Sequence, residues 1–354
     1  MTIGFKSGKK TTVGVLRGGP SQEYDISLTT GKHILNLLKK EPLCEEYNAV
    51  DIFVDRDGVW HISGAPVSPE EAVSRVDVLF NAMHGAYGGD GRLQSVLDSF
   101  AKPYTGTKGL GSAMALNKAL AKENFKNLGI KSPFYKEVNI KLDEDVEPVA
   151  HDLFKSFPMP VIIKPRSSGS SLGISIAHNF TELMKALEHT RGFSEEIVVE
   201  EYLTGKEIIS GFIEDFRGQD LYNTVPVQVR HEKTSTSGVL NNDGELSNIG
   251  TGTGHFDWAS KTSGIYNYEA PAMITEEEKG IIENAMRSVK ESFNLRHYGT
   301  FDFLIHPKRG VYLLEVNTQP SLQEEATLFK SLGSVGVKAH EFLGHVLKLA
   351  MGKK

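Results

Sequence analysis

Cysteine is nearly absent: Cys44 stands alone in 354 residues. That excludes an intrachain disulfide framework and any cysteine-rich zinc site. Long apolar runs are missing too, since none approaches the roughly 20 residues that a membrane-spanning helix needs. Nor is there an excess of charge of one sign. A net charge of −6 over the whole chain gives no general attraction to nucleic acid or to an anionic membrane surface. There is no internal repeat and no low-complexity tract. The first residues carry lysines and run straight into a strand, so no secretory signal is expected. These absences predict a soluble protein of a reducing, cytoplasmic compartment. With 39% hydrophobic and 24% charged residues, the composition is ordinary for a globular chain long enough for two or three domains.

What is present begins with a short apolar run, Thr12-Val-Gly-Val-Leu-Arg17, that ends in Gly18-Gly19-Pro20 and leads to a helical pattern from Ser27 through Ile34 and Leu38. Strand, glycine turn and helix in that order open an α/β domain. Strands are expected at 49–54 and 76–81, with Asp57-Gly58 marking a turn before Trp60. Ser112 is placed to cap one helix over 113–128, with Leu116, Leu120 and Phe125 on a face and Gly129 ending it. A strong strand is expected at 197–202. Residues 230–265 are rich in Gly, Ser, Thr and Asn, too polar for a core, and read as a long functional loop.

The richest stretch is Thr300-Phe-Asp302-Phe-Leu-Ile-His-Pro-Lys-Arg-Gly310-Val-Tyr-Leu-Leu-Glu315-Val-Asn317. It reads as two apolar strands joined by a Pro/Gly turn. Alternation puts Glu315 and Asn317 on one face, and a symmetric hairpin sets Asp302 opposite Glu315. Two carboxylates and an amide oxygen suit a hard divalent cation shared with substrate phosphates.

A second segment, Val161-Ile-Ile-Lys164-Pro165-Arg166-Ser-Ser-Gly169-Ser170-Ser171-Leu-Gly173, runs from an apolar strand into a small-residue loop. Small residues let backbone N–H groups approach phosphate oxygens, and Lys164 adds a point charge. Taken alone it reads equally well as an ordinary hairpin loop. Glu200-Glu201-Tyr-Leu203, just after another strand, could meet an adenine amino group and ribose hydroxyls, or simply be a solvated strand end. His84 lies in a second Gly-rich turn, Asn81-Ala-Met-His84-Gly85-Ala-Tyr-Gly88-Gly89-Asp90-Gly91. A lone loop histidine is more often structural than catalytic. Glu23 could equally serve only the dipole of the helix it precedes.

In this order and spacing the segments resemble the D-alanine–D-alanine ligases of the ATP-grasp superfamily. The likeness covers nearly the whole chain. It includes Gly18-Gly19-Pro-Ser21-Gln-Glu23, His84-Gly85, Pro103-Tyr104-Thr105-Gly106, Lys118, Lys164-Pro165, Gly169-Ser170-Ser171, Glu200-Glu201, Asp302 and Glu315-Val-Asn317-Thr318. The resemblance implies a mixed α/β and α+β architecture, the ATP-grasp fold behind an N-terminal Rossmann-like domain. Its expected divisions are 1–117, a central lid at 118–204 and a C-terminal part at 205–354. It implies ATP with Mg²⁺ or Mn²⁺ as cofactors and amino acids as substrates. Lys118, Lys164 and Ser171 would hold phosphates, and Glu200, Glu201, Leu203 and Glu207 would hold adenine and ribose. Asp302, Glu315 and Asn317 would ligate the metal. Glu23 and Ser170 would position the first amino acid, with His84 near its acyl group, and the loop carrying Lys261 would close over the site. The family commonly forms dimers, but nothing in this sequence identifies an interface.

The chain also departs from the family pattern. Thr300 stands where members usually carry an arginine, two residues before the metal aspartate. Gln319-Pro320-Ser321 replaces an x-Pro-Gly turn. A hydroxyl expected for the second amino acid's carboxylate falls on Ala326, beside Thr327, and Thr262 follows Lys261 in place of an aromatic. All four lie on the amino-acid side of the site. Three functions are therefore in view: a D-alanine–D-alanine ligase, a ligase with another acceptor, and a weakly active ATP-binding paralogue. Arg296 and Arg166 are the cations that could stand in for the missing arginine.

Overall fold

The computed structural model describes residues 9–169, 172–231 and 266–353. Three sheets organise them. The first contains β1 (Thr11–Gly18), β2 (Tyr47–Val54), β3 (Trp60–Ile62), β4 (Ala65–Val67) and β5 (Val78–Asn81), in the order β4-β3-β2-β1-β5. β1 lies parallel to both β2 and β5. Its apolar run is continuous because both faces are covered: Val13 and Val15 join one core cluster and Leu16 another. The helix Tyr24–Leu38 packs on that sheet through a stripe of Ser27, Thr30, Gly31, Ile34, Leu35 and Leu38. The expected turn at Asp57-Gly58 joins β2 to β3, with Val54 opposite Trp60.

The second sheet contains β6 (Tyr135–Asn139), β7 (Val161–Pro165), β8 (Ser175–Ala177) and β9 (Glu196–Glu201), ordered β6-β9-β7-β8 and antiparallel throughout. Helices Glu147–Ser156 and Phe180–Arg191 cover one face through Ala150, Leu153, Leu183 and Leu187, against Val161, Ile163, Ile197 and Val199. Side chains alternate along a strand, so Lys164 and Glu200 are turned to the opposite face.

The third sheet contains β10 (Lys206–Phe216), β11 (Gln219–Asn223), β12 (Val227–His231), β13 (Tyr266–Glu269), β14 (Tyr298–His306) and β15 (Gly310–Asn317). The order is β13-β12-β10-β14-β15, with β11 added on β10. Helix Glu276–Ser292, opened by a capping box between Thr275 and Glu278, covers one face. There Ile282, Met286 and Val289 meet Ile208, Phe301, Phe303 and Leu313. The other face carries the even-numbered residues of β14.

One expectation is overturned. The chain makes two helices, Gly109–Leu116 and Lys118–Asn127, where a single helix over 113–128 was expected. Asn117 leaves helical geometry (φ −80°, ψ 101°), and its side chain accepts a hydrogen bond from the Leu120 N–H at 3.1 Å, capping the second helix. Ser112 caps nothing; it lies inside the first helix and donates to the Thr107 carbonyl. The break re-phases the face that follows, so Leu120 is exposed while Lys118 and Lys122 are buried. Among the described residues no helix is long and apolar enough to cross a membrane.

Candidate active site

The β14–β15 hairpin sets Asp302 opposite Glu315 as expected, but through a bulge and not by the symmetric closure its residues suggest. Asp302 lies opposite Glu315 and Thr300 opposite Asn317. Directly opposed residues share a face, so these four side chains stand together. The register then shifts, and Phe303 faces Leu313, leaving Leu314 as the extra residue of a bulge. Beyond it Leu304 meets Tyr312. With Leu203 and Leu314 they form a small apolar cluster on the same face. Glu207 pairs with Leu304, and Ile209 with Asp302, so Glu207 also belongs to this face. A hydrophobic floor thus runs directly into an acidic patch.

The second sheet turns its polar face to that patch. Ile162 pairs with Glu200, and Lys164, two residues on, is diagonal to it on the same side. Lys164 Nζ donates to Glu200 Oε2 at 3.0 Å. Lys122 Nζ sits 3.2 Å from Glu200 Oε1, with both side chains 1% exposed. Two ammonium groups outweigh the desolvation of this carboxylate and pull it down to about 2. Burial lowers both Lys118 and Lys122, whereas the charges of Glu200 and Glu315 overcome it at Lys164 and raise that lysine. Lys118, first residue of its helix, donates to the Ser168 carbonyl and lies 4.0 Å from Glu315 Oε2. The lysine group and the hairpin carboxylates therefore form one electrostatic unit.

The first sheet contributes the third wall. Glu23 precedes the helix Tyr24–Leu38 but makes no cap bond to it. Its buried carboxylate lies instead against Gly85 and Gly169, where an added Cβ would come within 2.7 Å of Oε1 in either case. Gly85 also has φ +67°, a conformation glycine adopts without strain. The charge of Glu23 reaches Lys118 and His84. His84 is buried, its Nε2 3.0 Å from Thr30 Oγ1, and desolvation holds it below the usual histidine range.

Glu23, His84, Lys118, Lys164, Glu200, Leu203, Glu207, Asp302, Glu315 and Asn317 thus line three facing surfaces. The side chain of Glu201 is not among them. It alternates away from Glu200 and takes the Arg309 guanidinium at 2.7 and 3.1 Å and the Phe134 N–H at 2.9 Å, so it links two sheets. Ser170, Ser171 and Lys261 lie outside the described residues, as does most of the expected 230–265 loop. Thr300 is 4% exposed. Ser321 is half-buried between Pro320 and the core residue Leu322. Ala326 precedes helix Thr327–Ser334 without a side-chain cap.

Neither candidate stand-in arginine is directed to Thr300. Arg166 pairs with Glu137 and Glu196, and the Arg296 guanidinium meets His297 Nε2 at 3.1 Å. The sequence reading missed Lys122, whose signal was its i+4 spacing from Lys118. It also missed Tyr268, opposite Val229 in β12, whose hydroxyl is pushed up to about 12 by burial and by the Asp302 charge.

The family model described as "D-ala D-ala ligase C-terminus" matches residues 125–348. The D-alanine–D-alanine ligase of Geobacter sulfurreducens is 32% identical over 316 residues, covering 89% of this chain and 85% of that protein. The chain belongs to the D-alanine–D-alanine ligase family. Its fold agrees with that of D-alanyl-alanine synthetase A from Vibrio cholerae (TM-score 0.77, 23% identity, covering 98% of this chain and all of that one). It also agrees with the VanG D-Ala:D-Ser ligase from Enterococcus faecalis (TM-score 0.74, 20% identity, covering 97% of this chain and all of that one). As in these relatives, the architecture is the ATP-grasp fold, two facing sheets behind an N-terminal α/β unit. In this ligase-family chain the cleft between the sheets holds the lysine group and the hairpin carboxylates.

Proposed function

We propose that the chain is an ATP- and Mg²⁺-dependent carboxylate–amine ligase of the D-alanine–D-alanine ligase type. The reading rests on one observation above the rest, Lys118 lying 4.0 Å from Glu315 Oε2, which sets a phosphate-type cation beside the hairpin carboxylates. Among the described residues no group of three or more His, Cys, Asp or Glu is arranged to hold a metal ion by itself. The metal reading therefore stands on Asp302, Glu315 and Asn317, a hard-oxygen donor set that fits Mg²⁺ or Mn²⁺. When bound, the ion supplies neutralisation of charge on the transferring phosphoryl group. Lys118 and Lys164 would bind phosphate oxygens. Leu203, Leu304, Tyr312 and Leu314 would give an apolar floor for a purine, with Glu200 and Glu207 at its edges. Glu23 would hold the first substrate's ammonium. Transfer of the terminal phosphoryl group of ATP to that substrate's carboxylate, with ADP leaving, would give an acyl phosphate whose carbonyl the second amine attacks, expelling phosphate and losing a proton. The catalytic contribution is positioning and charge stabilisation in an enclosed cleft.

The second amino acid is where a second reading enters. Thr300 offers a hydroxyl where family members present a guanidinium, and a hydroxyl does not replace a charge-assisted donor to a developing oxyanion. Losing one such donor costs about 10²–10³ in turnover. Together with Ser321 and Ala326, this favours an acceptor other than D-alanine.

Phosphate release with ATP and Mg²⁺ across a panel of D- and L-amino acids, alone and in pairs, tests both readings. D-alanine as best donor and acceptor supports the first, and another acceptor supports the second. No amino-acid-dependent release from any pair would defeat the ligase proposal. The variant Thr300→Arg/Ser321→Gly should raise D-alanine turnover by about tenfold or more if the altered positions limit it.

A further inference from the structure

Glu200 is shared by two buried lysines that hold it unequally. Lys164 makes an aligned hydrogen bond to Oε2 at 3.0 Å. Lys122 lies 3.2 Å from Oε1, off the line of a hydrogen bond, and both Lys122 Nζ and Glu200 Oε1 are buried with no hydrogen-bond partner. The two charges are thus already an ion pair at contact distance, short of a well-aligned hydrogen bond. A small rotation of the ammonium would join them.

Lys164 cannot leave Glu200 for a phosphate oxygen unless another cation remains. An uncompensated buried carboxylate is strongly unfavourable, and Glu200 would hold Lys164 back. Lys122 is shaped to remain. It projects from the same helix face as Lys118, one turn on. The Tyr135 ring covers its ammonium at 5.8 Å, and that ring is fixed by the Tyr135 hydroxyl donating to Glu123 Oε1 at 2.9 Å. Lys164, by contrast, stands where β7 leads into the small-residue loop and feels Glu315 and Glu207 as well as Glu200.

We propose that Lys122 is a positioning residue of the nucleotide site: it takes over Glu200 when nucleotide arrives, and so releases Lys164 to the phosphates. This rests on the reading of the cleft as an ATP site. Without Lys122, Lys164 stays locked on Glu200, and the penalty falls on phosphate recognition while adenine recognition is spared.

Calorimetry with a non-hydrolysable ATP analogue plus Mg²⁺, and separately with adenosine, reads the two apart. Lys122→Met should raise the dissociation constant of the analogue about tenfold or more and change that of adenosine by less than about threefold. Lys122→Arg, which keeps the charge, should restore most of the analogue's affinity. Lys122→Met/Lys164→Met should bind the analogue within about threefold of Lys164→Met alone, because Lys122 acts through Lys164. Lys122→Gln, which keeps a donor for Glu200, gives the same pattern at smaller amplitude should Lys122→Met fail to fold by circular dichroism. Equal weakening of both ligands, or of neither, overturns the proposal and leaves the ATP site standing. If the unmodified protein binds neither ligand, the ATP reading itself falls, and the role of Lys122 with it.

Discussion

Asp302 and Glu315 are opposed across the hairpin ladder, with Lys118 at 4.0 Å from the latter. Asp302→Asn and Glu315→Gln keep shape and remove one charged oxygen each, so ATP-dependent phosphate release should fall by about two orders of magnitude or more. The thermal melt should stay near that of the parent. Parent-level turnover in either variant would remove these residues from the metal site. A different residue, His297, contributes to the loss of stability in acid. His297 Nδ1 accepts the Gly106 N–H at 3.0 Å, and Nε2 lies 3.1 Å from the Arg296 guanidinium, a cation that opposes protonation of the ring. Burial and the Arg296 charge take the ring from an ordinary 6.5 down to about 3. The unfolded chain therefore binds a proton below about pH 6.5 that the folded chain refuses until about pH 3. The stabilisation is complete above pH 6.5 and is lost on acidification, by up to ~1.4 kcal/mol per pH unit from this group. Chemical denaturation between pH 7 and pH 4 should show that slope, and His297→Asn should flatten it. Asparagine tolerates the φ of +64° found there and offers an amide oxygen to Gly106 without taking up a proton.

At the scale of elements, Asn117 decides where Lys118 points. Its side chain caps the second helix, and the Lys118 N–H, left over at the helix start, donates to the Arg166 carbonyl at 2.9 Å. Asn117→Ala should lower stability by about 1 kcal/mol in chemical denaturation and weaken nucleotide binding, because the turn carrying Lys118 loosens. Unchanged affinity with the stability loss present would separate the cap from the site. This element also shows where the sequence stops being readable. The apolar spacing runs through Asn117 without a pause, so it reads as one helix; the local cap of Asn117 on Leu120 breaks it, and the direction of Lys118 after the break depends on Arg166 and Ser168, about fifty positions away. The burial of Lys122 depends in the same way on Glu200, and the use of Glu201 on Arg309, 108 residues on. The β14–β15 pairing, by contrast, is local. Alternation and a Pro/Gly turn were enough to bring Asp302, Glu315 and Asn317 together, although the bulge at Leu314 that sets their register was not legible.

For the molecule as a whole, the hairpin is where the three sheets meet. At its turn Lys131 Nζ donates to the Arg309 carbonyl at 2.9 Å and Arg309 grips Glu201 of the second sheet, while nearer the bulge the Leu313 N–H donates to the Lys131 carbonyl at 2.8 Å. At its open end the Arg296 N–H donates to Thr107 Oγ1 at 3.1 Å and the His297 N–H to Glu214 Oε2 at 2.6 Å, while His297 receives Gly106. The hairpin is in effect a beam clamped at both ends, and such a beam deflects least when its supports move together. Asp302 and the bulge lie in mid-span. Any rocking of the second sheet toward the first must therefore carry the carboxylates along as a fixed frame, with strain passing into the supports. In hydrogen-exchange measurements the amides of Phe301 to Leu304 should be among the slowest of the third sheet, and those of β11, mostly half-buried or exposed at the margin, among the fastest. The supports then become the adjustable parts: loosening Arg309 or His297 would tune how stiffly the molecule holds Asp302 and Glu315, without touching either carboxylate.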